Sequence, residues 1–217
     1  MLDCPAGEGA FSQRLLDEGF AVTAADIAPN NFRLAAPPCD FADLNDKLPY
    51  PDASFDAVVC LNGLQRVWAR ARAVDELARV VKPGGIVVIS FPNISDIRRR
   101  MMFFLTGSVT WSVIGPPHAF IHGATNPAGC FRYVMTPADV LAAVSNAGLK
   151  CDAIRATHYS TGALAMLPLA VLPLIFRWLS PRAFGRVYDR EQFSLRRANS
   201  IDGLLGAFLV VVATKRA

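Results

Sequence analysis

The chain has 217 residues, of which 53% are hydrophobic and 18% are charged, and its formal net charge is +4 at pH 7. This length is enough for one α/β core with insertions and too short for two full domains. The arginines cluster at 98–100 and between 177 and 197. Such local clusters suit a contact with an anionic surface and argue against a long nucleic-acid interface.

Five cysteines stand at positions 4, 39, 60, 130 and 151, an odd number with no C-x-x-C pair. This pattern argues against a disulfide framework and indicates a reducing compartment. Asp3 and Glu8 interrupt the start of the chain, where a signal peptide would need an apolar region. We therefore expect a cytoplasmic protein.

The first 26 residues predict a strand, a glycine-containing loop, a helix and a second strand that ends in a carboxylate. Because Gly7 and Gly9 have no Cβ, a ligand could approach the backbone of the loop. The helix is predicted from Gly9 to Gly19, with Gly19 as its stop. Asp26 then follows the second strand, in position to accept hydrogen bonds from two ribose hydroxyls. The pattern is typical of a half-site for a ribose-bearing ligand.

The charges of this loop distinguish two candidate ligands. A dinucleotide presents a pyrophosphate to the helix N-terminus, and a carboxylate there would repel it. S-adenosylmethionine (SAM) carries a sulfonium and an ammonium group, which are both cationic. Asp3 and Glu8 flank the turn and therefore favour SAM over NAD. In the alternative interpretation, Glu8 is a solvated loop residue and Asp3 is a partner of the helix dipole.

The rest of the chain continues to alternate strands and helices. Pro-rich residues 27–38 shorten the next helix to one or two turns. Thr136 and Pro137 give a strong helix start, as N-cap and first-turn residue. In chain order, the predicted elements are strands at 39–42 and 55–61, a helix at 67–81, a Pro83-Gly84-Gly85 turn, a strand at 86–91, a helix at 137–147, and strands at 150–156 and 205–214. The helix at 67–81 is expected to carry its charged residues on the outward face, namely Arg70, Asp75, Glu76 and Arg79.

Residues 2–9, 43–44, 48–59 and 81–85 resemble, in the same order, motifs of the class I SAM-dependent methyltransferases. The resemblance covers most of residues 1–95 and is greatest to the ubiquinone-methyltransferase-like branch, whose members methylate small molecules, lipids and sugars. It implies an α/β fold with a Rossmann-like, seven-stranded, mostly parallel sheet, an antiparallel last strand and helices on both faces.

The resemblance also implies SAM as cofactor and a set of residues that bind it. Asp26 would hold the ribose, Asp43 would accept from the adenine amino group, and the backbone N–H of Leu44 would donate to the ring. Alternatively, Asp43 caps local N–H groups of a turn, and Asp40 competes for the adenine. The expected cofactor contacts are Asp3, Pro5, Gly7, Gly9, Asp26, Ile27, Asp43, Leu44, Cys60, Leu61 and Asn62.

Three features depart from the family. Pro5 stands where the first glycine is usual, Gln65-Arg66 replaces a Glu-His pair, and the chain opens only two residues before Asp3, so that the native start could lie upstream. A SAM-dependent methyltransferase for a small or amphiphilic acceptor, such as a lipid, a sugar or a quinone-like ring, is the leading prediction. A degenerate methyltransferase-like protein with a SAM-binding or interaction role is the alternative, and an NAD-dependent oxidoreductase is a third.

Two histidines are candidates for a catalytic base. His118 and His122 lie in an irregular Pro- and Gly-containing stretch, in the region where relatives build a substrate lid. The pKa of an unperturbed histidine, about 6.5, suits proton transfer from a hydroxyl nucleophile. Local hydrogen bonding is the alternative role. A metal site would need Cys130 or a carboxylate as a further ligand, and no metal is predicted.

We expect a single domain over 1–217, with a lid-like insertion at about 96–135 and an apolar insertion at about 158–203. Within the second insertion, residues 162–186 are apolar, are too short and too Pro-interrupted to span a bilayer, and end in an Arg and Trp rim. This indicates peripheral contact with the inner face of a membrane or with a lipid-like acceptor. A hydrophobic lid or a dimer surface is the alternative, and the oligomeric state cannot be predicted.

Overall fold

The structure is a computed structural model that describes residues 1–106, 135–159, 161–166, 168 and 200–216. Its strands are β1 (Leu2–Asp3), β2 (Thr23–Asp26), β3 (Cys39–Phe41), β4 (Phe55–Leu61), β5 (Val81–Pro92), β6 (Leu149–Ala156) and β7 (Phe208–Lys215). The described helices are α1 (Ala10–Asp17), α2 (Arg70–Val80), α3 (Ile97–Thr106), α4 (Pro137–Asn146), α5 (Thr161–Ala165) and α6 (Ile201–Leu205). Short 3₁₀ turns lie at Pro29–Asn31 and Leu64–Arg66.

The strands form one seven-stranded sheet in the order β3-β2-β1-β4-β5-β7-β6. The first five strands of the chain pair in parallel, whereas β7 runs antiparallel to both β5 and β6. This arrangement confirms the predicted fold class. Since the carboxyl ends of parallel strands meet at one edge, the loops that follow β1, β2, β3 and β4 are gathered there.

The core follows from the apolar runs of the central strands. Residues 58–60 of β4 are buried, as are alternate residues of β7. The helix α2 contributes Val74 and Leu77, which are completely buried in the same cluster. A smaller cluster joins α3, α5 and α6 through Ile97, Ala163, Leu204 and Leu205.

The strand β5 differs from the prediction of a turn followed by a strand at 86–91. It begins at Val81 and pairs with β4 on both sides of an irregularity in register. Gly84 has a φ of +77° within this bulge, a backbone conformation that glycine adopts at low cost. A Cβ on Gly85 would lie 2.7 Å from the carbonyl oxygen of Asp56, so the bulge brings two backbones close together.

The ends of the chain's helices agree with the prediction to different degrees. At α4, Thr136 accepts from the N–H of Asp139 and Pro137 is the first helical residue, as predicted. The strand predicted at 205–214 begins instead at Phe208, because the preceding residues form α6, capped by Ser200 Oγ. The helix predicted at 67–81 begins only at Arg70.

The two predicted insertions are described in part. The helix α3 lies in the first, and α5 and α6 lie in the second. His118, His122 and most of residues 162–186 lie outside the described residues. Within the described part of the chain, no helix combines the length and the apolar character needed to cross a bilayer.

The pair Glu76 and Arg79 on α2 was predicted to face solvent, and this prediction is wrong for both residues. Glu76 Oε2 accepts from the backbone N–H of Leu48 at 2.8 Å, and the Arg79 guanidinium donates to the carbonyls of Leu48 and Tyr50 at 3.0 and 2.8 Å. Burial raises the pKa of Glu76, but hydrogen bonds from Arg79 and the Leu48 N–H outweigh it and lower the pKa overall. The pair therefore fastens the loop that leads from β3 to β4.

We expect Arg79→Ala to lower the free energy of unfolding by about 2–4 kcal/mol, because it leaves two backbone carbonyls and a half-buried carboxylate without their donor. Urea unfolding at neutral pH measures this loss. Asp52→Ala is the matched control, since Asp52 also contacts Arg79 but its side chain is 77% exposed, and its loss should be much smaller. Equal losses in the two variants would contradict the role of the buried contacts.

Candidate functional site

The loop between β1 and α1 is held by backbone hydrogen bonds to both neighbouring strands. The N–H of Cys4 donates to the carbonyl of Val59 on β4 at 2.9 Å, and the N–H of Ala6 donates to Ala25 on β2 at 2.9 Å. Gly7 and Gly9 have φ values of +57° and +92°. Positive φ is costly for residues with a Cβ, so the turn itself requires glycine at both positions.

The space around the two glycines differs. A Cβ on Gly7 would meet no atom within 4 Å, whereas a Cβ on Gly9 would lie 2.8 Å from the ring of Phe32 and 3.0 Å from Leu34. The expectation that a ligand occupies the space beside both glycines therefore applies to Gly7 alone. At Gly9, side chains of the segment after β2 fill that space.

Asp26 lies at the carboxyl end of β2 and is 8% exposed. Its Oδ2 accepts from the N–H of Gly7 at 2.8 Å, and its Oδ1 accepts from the N–H of Ala28 at 2.9 Å. A carboxylate has about four lone-pair sites, so both oxygens retain capacity for hydroxyl donors. The neighbouring Ile27 is 52% exposed, which gives the same corner an apolar surface.

The two acidic residues that suggested a cationic ligand have protein partners. Asp3 is only 1% exposed, and its Oδ2 accepts from the hydroxyl of Ser12 at 2.6 Å. Burial raises the pKa of Asp3, although the Ser12 hydrogen bond opposes this shift. Glu8 forms an exposed ion pair with Arg33 at 3.0 Å. Glu8 thus lies in the surface position of the alternative interpretation, and Asp3 supports the loop from beneath through α1.

The loop after β3 contains the residues expected at the adenine. Asp43 is half-buried, and its Oδ1 accepts from the backbone N–H and the side-chain amide of Asn45 at 2.8 and 2.9 Å. Leu44 is buried, and its N–H donates to no protein acceptor among the described residues. The competing Asp40 is exposed and accepts from the hydroxyl of Tyr50 at 2.9 Å.

The end of β4 closes on the loop that follows β1. Cys60 is fully buried, and burial raises the pKa of its thiol to about 12. Asn62 has a φ of +55°, and its N–H donates to the carbonyl of Ser90 at 3.1 Å. A Cβ on Gly63 would lie 2.6 Å from Pro5 and 2.7 Å from the Cys60 sulfur. Gly63, which the sequence did not single out, accommodates the proline that replaces the family's first glycine.

The structure thus gathers most of the expected cofactor contacts along one edge of the sheet. Gly7 and Asp26 touch directly, and β1 pairs with both β2 and β4. Among the described residues, no group of three His, Cys, Asp or Glu side chains is arranged to hold a metal ion. The candidate bases His118 and His122 lie outside the described residues, and their roles stay predictions.

Comparisons with known proteins agree with this geometry. Residues 2–89 match the family model described as "Methyltransferase domain". A demethylmenaquinone methyltransferase of Tropheryma whipplei is 37% identical over 95 residues, which are 41% of this chain and 40% of that protein. A ubiquinone biosynthesis O-methyltransferase of Xylella fastidiosa is 28% identical over 170 residues, 73% of this chain and 64% of that protein. The chain therefore spans less than two thirds of the length of these relatives.

The fold as a whole is similar to that of solved methyltransferases. The crystal structure of an S-adenosylmethionine-dependent methyltransferase from Mesorhizobium loti superposes with a TM-score of 0.58 at 17% sequence identity, covering 99% of this chain and 90% of that one. The likeness at this identity concerns the fold, and the match at residues 2–89 concerns the motifs. The chain is thus similar to methyltransferases in the motifs of residues 2–89 and, along its length, in its fold.

Proposed function

We propose that this chain is a SAM-dependent methyltransferase that acts on a small or amphiphilic acceptor. The observation that carries the proposal is the contact of the buried Asp26 carboxylate with the N–H of Gly7, beside open space at Gly7. This arrangement offers acceptor atoms for two ribose hydroxyls and room for a ligand across the loop. A pyrophosphate would gain less here, because its charge would meet a carboxylate instead of free N–H groups.

The described residues fit SAM in three places. Asp26 binds the ribose, Asp43 and the unpaired N–H of Leu44 bind the edge of the adenine, and Ile27 packs against the nucleoside. The carbonyls of Cys60, Leu61 and Asn62 lie at the end of β4 and hold the ammonium end. Three of the expected residues support the loop without touching SAM in this proposal. Asp3 and Pro5 hold the loop from the protein side, and Gly9 packs against side chains of the chain itself.

The chemistry requires positioning more than covalent help. SAM supplies an electrophilic methyl group, and the protein holds the acceptor's nucleophilic atom in line with it. Holding the two reactants in a near-attack geometry can supply a large part of the rate enhancement in such a reaction. We assign His118 or His122 as the group that takes a proton from a hydroxyl acceptor at neutral pH.

A quinone-like or other amphiphilic acceptor is supported by two features. The relatives from Tropheryma whipplei and Xylella fastidiosa have names that refer to menaquinone and ubiquinone chemistry. In addition, Phe103, Phe104 and Leu105 at the end of α3 are 56%, 83% and 72% exposed. An exposed apolar helical turn of this kind, soon after the carboxyl end of β5, suits a hydrophobic acceptor or a lipid surface. We propose the same role for residues 162–186.

A degenerate, SAM-binding or interaction protein is the second candidate. This alternative is favoured by the packing at Gly9, where Phe32 and Leu34 fill space that was expected to hold a ligand. Binding of SAM without methyl transfer to any quinone-like, lipid or sugar acceptor would support this alternative.

Calorimetric titration of the purified chain with SAM, S-adenosylhomocysteine and NAD tests the proposed cofactor. We expect binding of the first two ligands and none of NAD. Asp26→Ala should weaken SAM binding by about 1–3 kcal/mol, because it removes the acceptor for the ribose hydroxyls. Since this change also frees the N–H groups of Gly7 and Ala28, circular dichroism must show that the variant is folded. An unchanged SAM affinity would refute the ribose assignment.

Substitution of glycines with positive φ separates ligand space from backbone strain. Gly7→Ala and Gly84→Ala should each cost about 1–2 kcal/mol of stability, since both positions have positive φ and open surroundings. Only Gly7→Ala should also lose SAM affinity, because its Cβ enters the proposed ligand space. Gly9→Ala should destabilise the protein more than either, since its Cβ overlaps the Phe32 ring. Thermal unfolding and titration with SAM measure the two effects. Equal SAM affinities of the Gly7 and Gly84 variants would mean that the ligand does not cross this turn.

Liposome flotation tests the proposed membrane contact of residues 162–186. We expect the chain to float with vesicles that contain anionic lipid and to float less with neutral ones, since buried Leu and Ile side chains contribute about 1.5–3 kcal/mol each and nearby arginines about 1 kcal/mol each. The variant with Leu172→Ser and Ile175→Ser should lose flotation. If the parent chain does not float and the variant is equally soluble, the segment is no membrane contact.

A further inference from the structure

Asn45 is a buried polar residue that the sequence did not single out and that no expected contact uses. It is 7% exposed and lies in the turn after β3, one residue beyond Leu44. Its backbone N–H and its side-chain amide both donate to Oδ1 of Asp43, at 2.8 and 2.9 Å. A single carboxylate oxygen of Asp43 thus receives two hydrogen bonds from one residue.

The other end of the same side chain reaches a distant segment. Asn45 Oδ1 accepts from the backbone N–H of Trp68 at 3.0 Å and from that of Ala69 at 3.4 Å, 23 and 24 residues along the chain. Ala69 is the N-cap of α2 and provides no side-chain cap of its own. Asn45 therefore satisfies the N–H of the N-cap residue, which a helix start leaves without an intrahelical partner, and that of the residue before it.

These partners fix the orientation of the amide. The Asp43 carboxylate only accepts, so it must face the NH₂ group, and the two backbone N–H groups only donate, so they must face the oxygen. Neither an acid nor an apolar residue can satisfy both sides. Asparagine is the one side chain of this size that offers a donor and an acceptor at its two ends.

We propose that Asn45 is a positioning residue for recognition of the adenine base, an inference that rests on the proposed SAM-binding function. By engaging Oδ1 of Asp43, Asn45 sets the plane of the carboxylate and leaves Oδ2, to which no described residue donates, for the exocyclic amino group. The unpaired N–H of Leu44 beside it is available to a ring nitrogen. The amide is also hydrogen-bonded to the residues just before α2. It therefore fixes the position of Asp43, which would contact the base, relative to the segment after β4.

The test compares two ligands that differ at the base edge, S-adenosylhomocysteine and S-inosylhomocysteine. The second has a carbonyl oxygen in place of the amino group and a protonated ring nitrogen. It therefore presents an acceptor to the Asp43 carboxylate, which needs a donor, and a donor to the Leu44 N–H, which needs an acceptor. We expect the parent chain to prefer the adenosyl ligand by at least about tenfold in calorimetric titration. In Asn45→Asp this preference should fall by about fivefold or more.

Asn45→Asp keeps an acceptor for Trp68 and Ala69 but places a second carboxylate beside Asp43. Asn45→Ala removes both the donor to Asp43 and the acceptor for Trp68 and Ala69. It should lower both the preference for the adenosyl ligand and the stability of the protein. Asn146→Asp, at the exposed end of α4, adds the same charge away from the site and should change neither. Asp43→Asn should abolish the preference directly. If Asn45 has only a structural role, its substitution should weaken the binding of both ligands equally and leave the ratio of their affinities unchanged.

Each outcome bears on one of the two proposals. A parent chain that binds neither ligand refutes the proposed function and this inference with it. A parent that binds both ligands equally well keeps the proposed function and refutes base recognition through Asp43 and Asn45. An unchanged ratio in folded Asn45→Asp overturns the inference. So does the loss of folding in both Asn45 variants under conditions where Asp43→Asn stays folded, because Asn45 is then a structural residue only.

Discussion

The site depends on one buried carboxylate, Asp26, which joins two loops that the sheet brings to the same edge. By accepting from Gly7 on one side and from Ala28 on the other, it fixes the glycine turn and the segment after β2 relative to each other. An Asp side chain at this depth is tolerated because both of its oxygens are hydrogen-bonded. The same group then has lone pairs left for a polar ligand, so the interaction that stabilises the loop also prepares it for binding.

Features that depend on neighbouring residues were predicted correctly from the sequence. The apolar run of β4 gave its bounds, and the Thr136 and Pro137 signals gave the start of α4. The seven-stranded, mostly parallel sheet with an antiparallel last strand was implied by the resemblance to a known family. By contrast, the turn predicted at residues 83–85 is a bulge within β5, which brings Gly85 close to the backbone of β4, a contact that no local pattern reveals.

Other differences between the expectations and the structure also come from contacts between distant parts of the chain. Charged Glu76 and Arg79 were expected in solvent, yet their partners are backbone groups 28 to 31 residues away in the chain. Gly9 was assigned to a ligand, although Phe32 and Leu34 occupy the space beside it. Motif reasoning identifies which residues lie near a ligand. It does not distinguish residues that touch a ligand from those that shape the loop around it.

The position of β7 has a consequence for how the molecule is made. Among the described strands it comes last in the chain, but it lies between β5 and β6 and is the one described strand that pairs with β6. During synthesis, the edges of β5 and β6 that pair with β7 stay unpaired until residues 208–215 have left the ribosome. Unpaired edges are templates for association with other chains. The charged Lys150, Asp152 and Arg155 along β6 are placed to discourage wrong partners during that interval.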